Sequence, residues 1–378
     1  MSMPISPDRT NWPLVALLYG LGLLAAGHFA KVALTLDALA LRYPEAGATL
    51  PLTVSMTSVA GILFGATAGI VVARFGARRV LLVAIAAGAL LAGLEAVPLP
   101  FGLFLALRVV EGFAHLALVV AGPTLMAASA RNADRPMVMG LWGTFFGVGF
   151  MLFSLAEQAL GMGIYLAHGG ALALLGVAIA PLLPRRVGRG PVVAEGWLAR
   201  HGAIYLSARR VAPALMFFWH TLMFMALLTY LPDFLGGWAS PVLPLVALVG
   251  TFGAGALTRR VPPAPIGMMG FALGLLLMLA FWGLPELRAV LCFPLMLAFG
   301  AVPGAAFASV PWLNSDPADQ ARANGAIAQL GNVGTALTIP VFTLALAFGL
   351  GGLVALSVVI SGVGIVVIWL IFGRAVRS

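Results

Sequence analysis

Residues 69–79 read Gly-Ile-Val-Val-Ala-Arg-Phe-Gly-Ala-Arg-Arg and separate two apolar runs, 50–72 and 79–98. Arginines as close together as Arg74, Arg78 and Arg79 are too costly to leave in hydrocarbon, so this stretch is a turn at one face of a bilayer. Each flanking run is long enough to cross about 30 Å of hydrocarbon as a helix. A helix also satisfies its backbone groups within the segment, which lipid cannot do. The stretch therefore predicts a helical membrane hairpin with its arginines in the cytoplasm.

Outward from this hairpin the pattern repeats along the whole chain. Apolar runs predict spans near 13–37, 50–72, 79–98, 101–128, 137–158 and 165–183, then 211–231, 240–258, 265–284, 289–312, 323–346 and 353–372. Twelve crossings put both termini on one side. With the N-terminus inside, the inner segments collect Arg9, Arg74, Arg78, Arg79, Arg131, Arg135, Arg185, Arg186, Arg189, Arg200, Arg209, Arg210, Arg259, Arg260, Arg322, Arg374 and Arg377. The outer loops collect Arg42 and Arg288 alone. That asymmetry predicts cytoplasmic termini.

Composition agrees. Of 378 residues, 62% are hydrophobic and 9% charged, which excludes a soluble enzyme, a disordered chain and a collagen. The net charge of +9 lies between apolar runs, so it reports membrane orientation and not a nucleic-acid partner. The single Cys292 excludes an intrachain disulfide and a cysteine metal cluster. The polar start, Met1 to Asn11, leads into a full-length span with no small-residue cleavage site, so no removable signal peptide is expected. No phosphate-binding glycine loop or metal-ligand spacing appears, and no cofactor is expected.

The longest hydrophilic stretch, 184–210, carries six arginines and divides the chain into 1–183 and 211–378, each predicted to be a six-helix bundle. Ala133, Asp134, Gly140 and Gly149 recur as Ala318, Asp319, Gly325 and Gly334, and Gly69 and Arg74 recur as Gly255 and Arg260. Such internal repeats are typical of transporters whose halves rock around a central site.

With these features the chain resembles the major facilitator superfamily over essentially its full length. The family's loop between helices two and three reads G-x-x-x-D-R-x-G-R-[KR], and Gly69, Arg74, Gly76 and Arg78 match it. Ala73 and Ala77 stand at the acidic position and one basic position, so the charge relay of the inner gate is incomplete. In the second copy Arg259 stands near the acidic position. The fourth-helix motif R-x-x-[QE]-G stands as Arg108 to Gly112, and in proton-coupled members this arginine is associated with proton transfer. The fifth-helix Gly-Pro pair of drug/proton antiporters is not present in Gly140 to Phe150. The resemblance implies an all-α membrane protein of two pseudo-symmetric bundles, with helices one, four, seven and ten lining a central cavity.

Six titratable side chains inside spans stand out as candidates. His28 and Lys31 lie in span one, Arg108, Glu111 and His115 in span four, and His220 in span seven. Charge within lipid marks a polar interior. Arg108, Glu111 and His115 follow i, i+3, i+7 spacing, as do His28, Lys31 and Thr35, so each set shares a helix face. Glu111 is read as the one acidic residue deep in a span, which leaves about one positive charge unbalanced between Lys31 and Arg108. The surplus suits an anion, with Lys31, His28, Arg108 and His220 binding it and Glu111, Arg108 and His115 handling a proton.

Other features read as packing. Gly61, Gly65 and Gly69, and Gly140, Gly143 and Gly147, form small-residue ridges. Gln329 and Asn332 are expected to bond between helices, and Trp12, Tyr43, Trp238 and Trp282 suit the interfacial belt. The expectation is a secondary transporter of the bacterial inner membrane, not an enzyme. It would move a small organic anion with protons, act as a monomer and have the lipid bilayer and its solute as partners. An exporter of hydrophobic compounds is the alternative, and an intramembrane enzyme a third reading.

Overall fold

The computed structural model describes residues 8–131, 134–184, 197–315 and 317–377, and its regular structure there is entirely helical. Residues 185–196 of the central loop and Ala133 of the repeat lie outside the described residues. The helices are α1 (Trp12–Leu34), α2 (52–75, in pieces), α3 (Ala77–Ala96), α4 (Phe101–Ala128), α5 (135–160, in two pieces) and α6 (Ile164–Ile179). They continue as α7 (Ala208–Tyr230), α8 (Ala239–Leu257), α9 (Pro263–Gly283), α10 (Arg288–Leu313), α11 (Pro317–Leu346) and α12 (Gly349–Arg377).

Among the described residues ten helices are long and apolar enough to cross a membrane, one of them the run Phe145–Ile179. Gly161, at φ +51°, breaks that run into α5 and α6. The shorter apolar helix Leu52–Phe64 belongs to α2, and the set is that of a twelve-helix fold. Span one ends earlier than its hydropathy suggests. Thr35 caps α1 and a separate short helix, Leu36–Arg42, follows. The 184–210 segment is not all loop, because it contains the helix Trp197–Tyr205 and α7 already begins at Ala208. Gly76 sits at φ +87° between α2 and α3, a left-handed turn that a side chain would strain, which explains the glycine there.

The chain divides into two compact units, Met1–Ala60 with Thr67–Ala194, and Gly61–Ala66 with Glu195–Ser378. In the first, α1 packs on α4, α5 and α6, and α3 packs on α4 and α6. In the second, α7 packs on α10, α11 and α12, and α9 packs on α10 and α12. The pairing is the same, six helices apart. The sequence repeat has a structural counterpart too. Asp134 accepts from Thr10 Oγ1 (2.6 Å) just before α1. Its repeat Asp319 pairs with Arg210 (2.9 Å) at the start of α7.

Outward faces are apolar, with Val83 70%, Leu174 75% and Val177 77% exposed, as lipid-facing positions require. Close helix approach comes from glycines other than some of the predicted ridge. A Cβ at Gly112 would strike the Thr57 carbonyl, and one at Gly149 would stand 2.7 Å from Leu23 O. Around Gly69, Gly140 and Gly143 there is nothing within 4 Å of that position, so these three do not mediate close contact. Gln329 bonds between helices as expected, accepting from Tyr205 Oη at 2.9 Å, whereas Asn332 donates to Ala328 O of its own helix at 2.8 Å.

Candidate functional site

Every charged side chain in the interior of a described span belongs to the first unit, where four helices bring them together. The stripes on α1 and α4 do face each other. Lys31 Nζ stands 2.5 Å from Glu111 Oε1, and His28 Nδ1 stands 2.6 Å from the same oxygen. Arg108 pairs with Glu111 one turn further along α4. Helical spacing created this meeting, since i, i+3 and i+7 hold all three α4 side chains on the face that α1 covers.

A residue the sequence reading passed over completes the cluster. Glu95, near the end of α3, is fully buried, with Oε2 at 2.7 Å from Lys31 Nζ and Oε1 at 3.3 Å from Arg108 Nη1. Glu111 is therefore not the sole intramembrane acid, and the expected surplus positive charge does not exist. Two carboxylates face two cations, and all four side chains are 0% exposed. The missed signal was the imbalance itself. An unpaired buried cation is costly enough that a second carboxylate in a span was required.

The two cations are held differently. Arg108 spends all three nitrogens, with Nε donating to Thr53 O (2.8 Å), Nη2 to His28 O (2.5 Å) and Nη1 serving both carboxylates. It ties α1, α2, α3 and α4 together, a task suited to a planar, multiply donating group. Lys31 carries two carboxylate contacts and sits 5.3 Å from the Tyr165 ring centroid. Thr35 Oγ1 bonds back to Lys31 O (2.7 Å) and meets Tyr165 Oη (3.1 Å), closing the cluster on one side.

Three imidazoles border it. His115 Nδ1 donates to Ala25 O (3.0 Å), and His28 contacts Glu111. His168 on α6, also absent from the sequence reading, donates Nε2–H to Leu24 O (2.9 Å). The ring of His28 meets those of His115 and His168 edge to face, at 5.8 and 4.9 Å. His28, Glu111 and His168 bring ligand-type atoms within 4.8 Å of one another, a grouping drawn from three helices and so invisible to any spacing rule.

The remaining predicted residues lie elsewhere. His220 belongs to the second unit, buried and stacked on Phe224 (4.6 Å) and Phe217 (6.1 Å). Arg74 is exposed, with its guanidinium 5.4 Å from the Phe75 ring centroid. Gly76 makes the turn before α3, and Gly69 borders open space. Arg78 Nη2 donates to Ala180 O (3.1 Å), just beyond the C-terminus of α6, where a cation suits the helix dipole.

No curated protein matches the sequence. The sequence profile of the Major Facilitator Superfamily matches residues 14–338. That range takes in α1 and α4 with their ionic cluster and most of the twelve-helix set. The chain is thus a multi-pass membrane transporter with a small-molecule substrate, and it belongs to the major facilitator superfamily.

Proposed function

We propose that this protein is a proton-coupled secondary transporter of a small organic anion in the bacterial inner membrane, acting as a monomer with both termini cytoplasmic. The observation that carries the reading is the neutral quartet of Lys31, Arg108, Glu95 and Glu111, buried beside three imidazoles. At rest its formal charges cancel, so an anion has no free cation to bind. Adding one proton to Glu111 leaves one positive charge without a partner, which a buried site tolerates poorly unless an anion enters. Lys31 is the cation released, because Arg108 is also fixed by two backbone carbonyls. Proton and anion then bind together, one for one, and the loaded carrier has the same net charge as the empty one.

The test begins with a thermal-shift screen of purified protein against lactate, benzoate, succinate, choline and ethidium. A ligand at a hundred times its dissociation constant adds about 2.7 kcal/mol of stability. The best anion is then taken into proteoliposomes. Uptake should follow an imposed pH gradient, alkalinise the outside and ignore a membrane potential set with valinomycin. Glu111→Gln should bind the anion yet fail to accumulate it. A screen in which choline or ethidium stabilises most, or uptake without proton movement, refutes this reading and favours export of hydrophobic compounds.

A further inference from the structure

Two buried nitrogens beside the quartet have no hydrogen-bond partner: His28 Nε2 and His168 Nδ1. Their protonation follows from their neighbours. His168 Nε2 faces the Leu24 carbonyl, which can only accept, so Nε2 carries the hydrogen and Nδ1 a bare lone pair. His28 Nδ1 faces a carboxylate oxygen already bonded by Lys31, so Nδ1 carries the hydrogen and Nε2 is bare. Two desolvated acceptors, on rings whose centroids stand 4.9 Å apart, lack a donor, which is costly in a buried site. The arrangement is shaped for a small cation.

Charge decides which cation. With both imidazoles neutral the surrounding cluster sums to zero, and each carboxylate is already engaged by Lys31 and Arg108. A proton raises the sum to +1. A divalent metal raises it to +2 and would need Glu111 freed from both cations. The groups that face the pair are Lys31 from α1, Glu95 from α3, Arg108, Glu111 and His115 from α4, Phe153 from α5 and Tyr165 from α6 itself. None of them is a spare carboxylate for a metal.

We propose that His28 and His168 together form a one-proton site that feeds Glu111, with His168 as the entry station. The path rests on the proton-coupled reading above and balances in atoms. With no substrate present the proton is held on the imidazole pair, at His168 Nδ1 or His28 Nε2; when an anion draws Lys31 away it settles on His28 Nε2 as the Nδ1–H of His28 moves to Glu111 Oε1. One N–H bond forms on His28 as another breaks, the imidazoles end neutral, and the carboxylate ends as a carboxylic acid. Lys31 then keeps one of its two counter-charges, and the anion supplies the other.

The test is nitrogen-15 NMR of histidine-labelled protein in lipid vesicles, titrated from pH 9 to pH 4, with no substrate present. Imidazolium signals of His28 and His168 should rise together in a single step totalling one proton. His168→Gln keeps a donor for Leu24 O but offers no basic nitrogen, so it should remove the joint step, while His201→Gln should leave it intact. His168 staying neutral throughout in the unmodified protein overturns the proposal without need of any variant, as does a step that survives His168→Gln. Saturable binding of zinc chloride alone, lost in His168→Gln, also overturns it in favour of a metal site. Because this titration needs no transport, a failed pair is distinguished from a failed transporter reading, which the uptake assay reads separately.

Discussion

Replacing Glu95 with Gln should unbalance the buried quartet. Glu95 lies 2.7 Å from Lys31 and 3.3 Å from Arg108. At an effective dielectric of 20 these attractions amount to about 6 and about 5 kcal/mol. The substitution also removes the carboxylate's own burial penalty, which is several kcal/mol. The net loss is about 3–5 kcal/mol, the usual range for removing one partner of a buried pair. Lys31→Met added to Glu95→Gln should restore most of it, because both charges leave together. The assay follows unfolding in detergent with a thiol-reactive fluorophore, since Cys292 is free and buried until the chain opens. Glu95→Gln that unfolds like the parent, or a double variant no more stable than the single one, would refute the reasoning.

Three further outcomes are expected. Gly112→Ala should cost about 1–3 kcal/mol by overpacking α4 against the Thr57 carbonyl, while Gly140→Ala, in open space, should unfold with the parent in the same assay. Asp134 carries a carboxyl held below its ordinary value of 3.8 by hydrogen bonds from Arg131 and Thr10. A depressed value means its stabilisation is complete above 3.8 and fades as pH falls further, so Asp134→Asn should flatten the acid limb of a stability profile. In a Cys292→Ala background, an impermeant thiol reagent applied outside right-side-out cells should label Ala48→Cys, which is exposed, and spare Gly188→Cys. Labelling of position 188 from outside would reverse the topology.

The membrane fold was legible because hydropathy and arginine placement are local properties, readable one segment at a time. The stripes on α1 and α4 were legible for the same reason, since i, i+3, i+7 spacing fixes a helix face before any packing. The ends of helices were read less well. Thr35 stops α1 and Gly161 turns α5 into α6 through backbone conformation, to which an apolar average is blind. The glycine ridges failed where a small residue simply borders open space, as at Gly140 and Gly143.

What the sequence determined by itself was the solvent, because 62% hydrophobic residues in runs of about 20 can be satisfied only by lipid. It also determined two of the helices that carry the buried charge, α1 and α4. Only the tertiary structure decided the character of the site. Glu95 and His168 each stand alone on α3 and α6 with no charged neighbour at helical spacing, so no pattern within their own helices marks them. Packing α3 and α6 against α1 and α4 turned an apparent surplus of positive charge into a charge-balanced buried cluster bordered by imidazoles. The physical reason is range: hydrophobic partition acts segment by segment, whereas charge balance in a low-dielectric interior is a property of everything within a few ångströms, whatever its place in the chain.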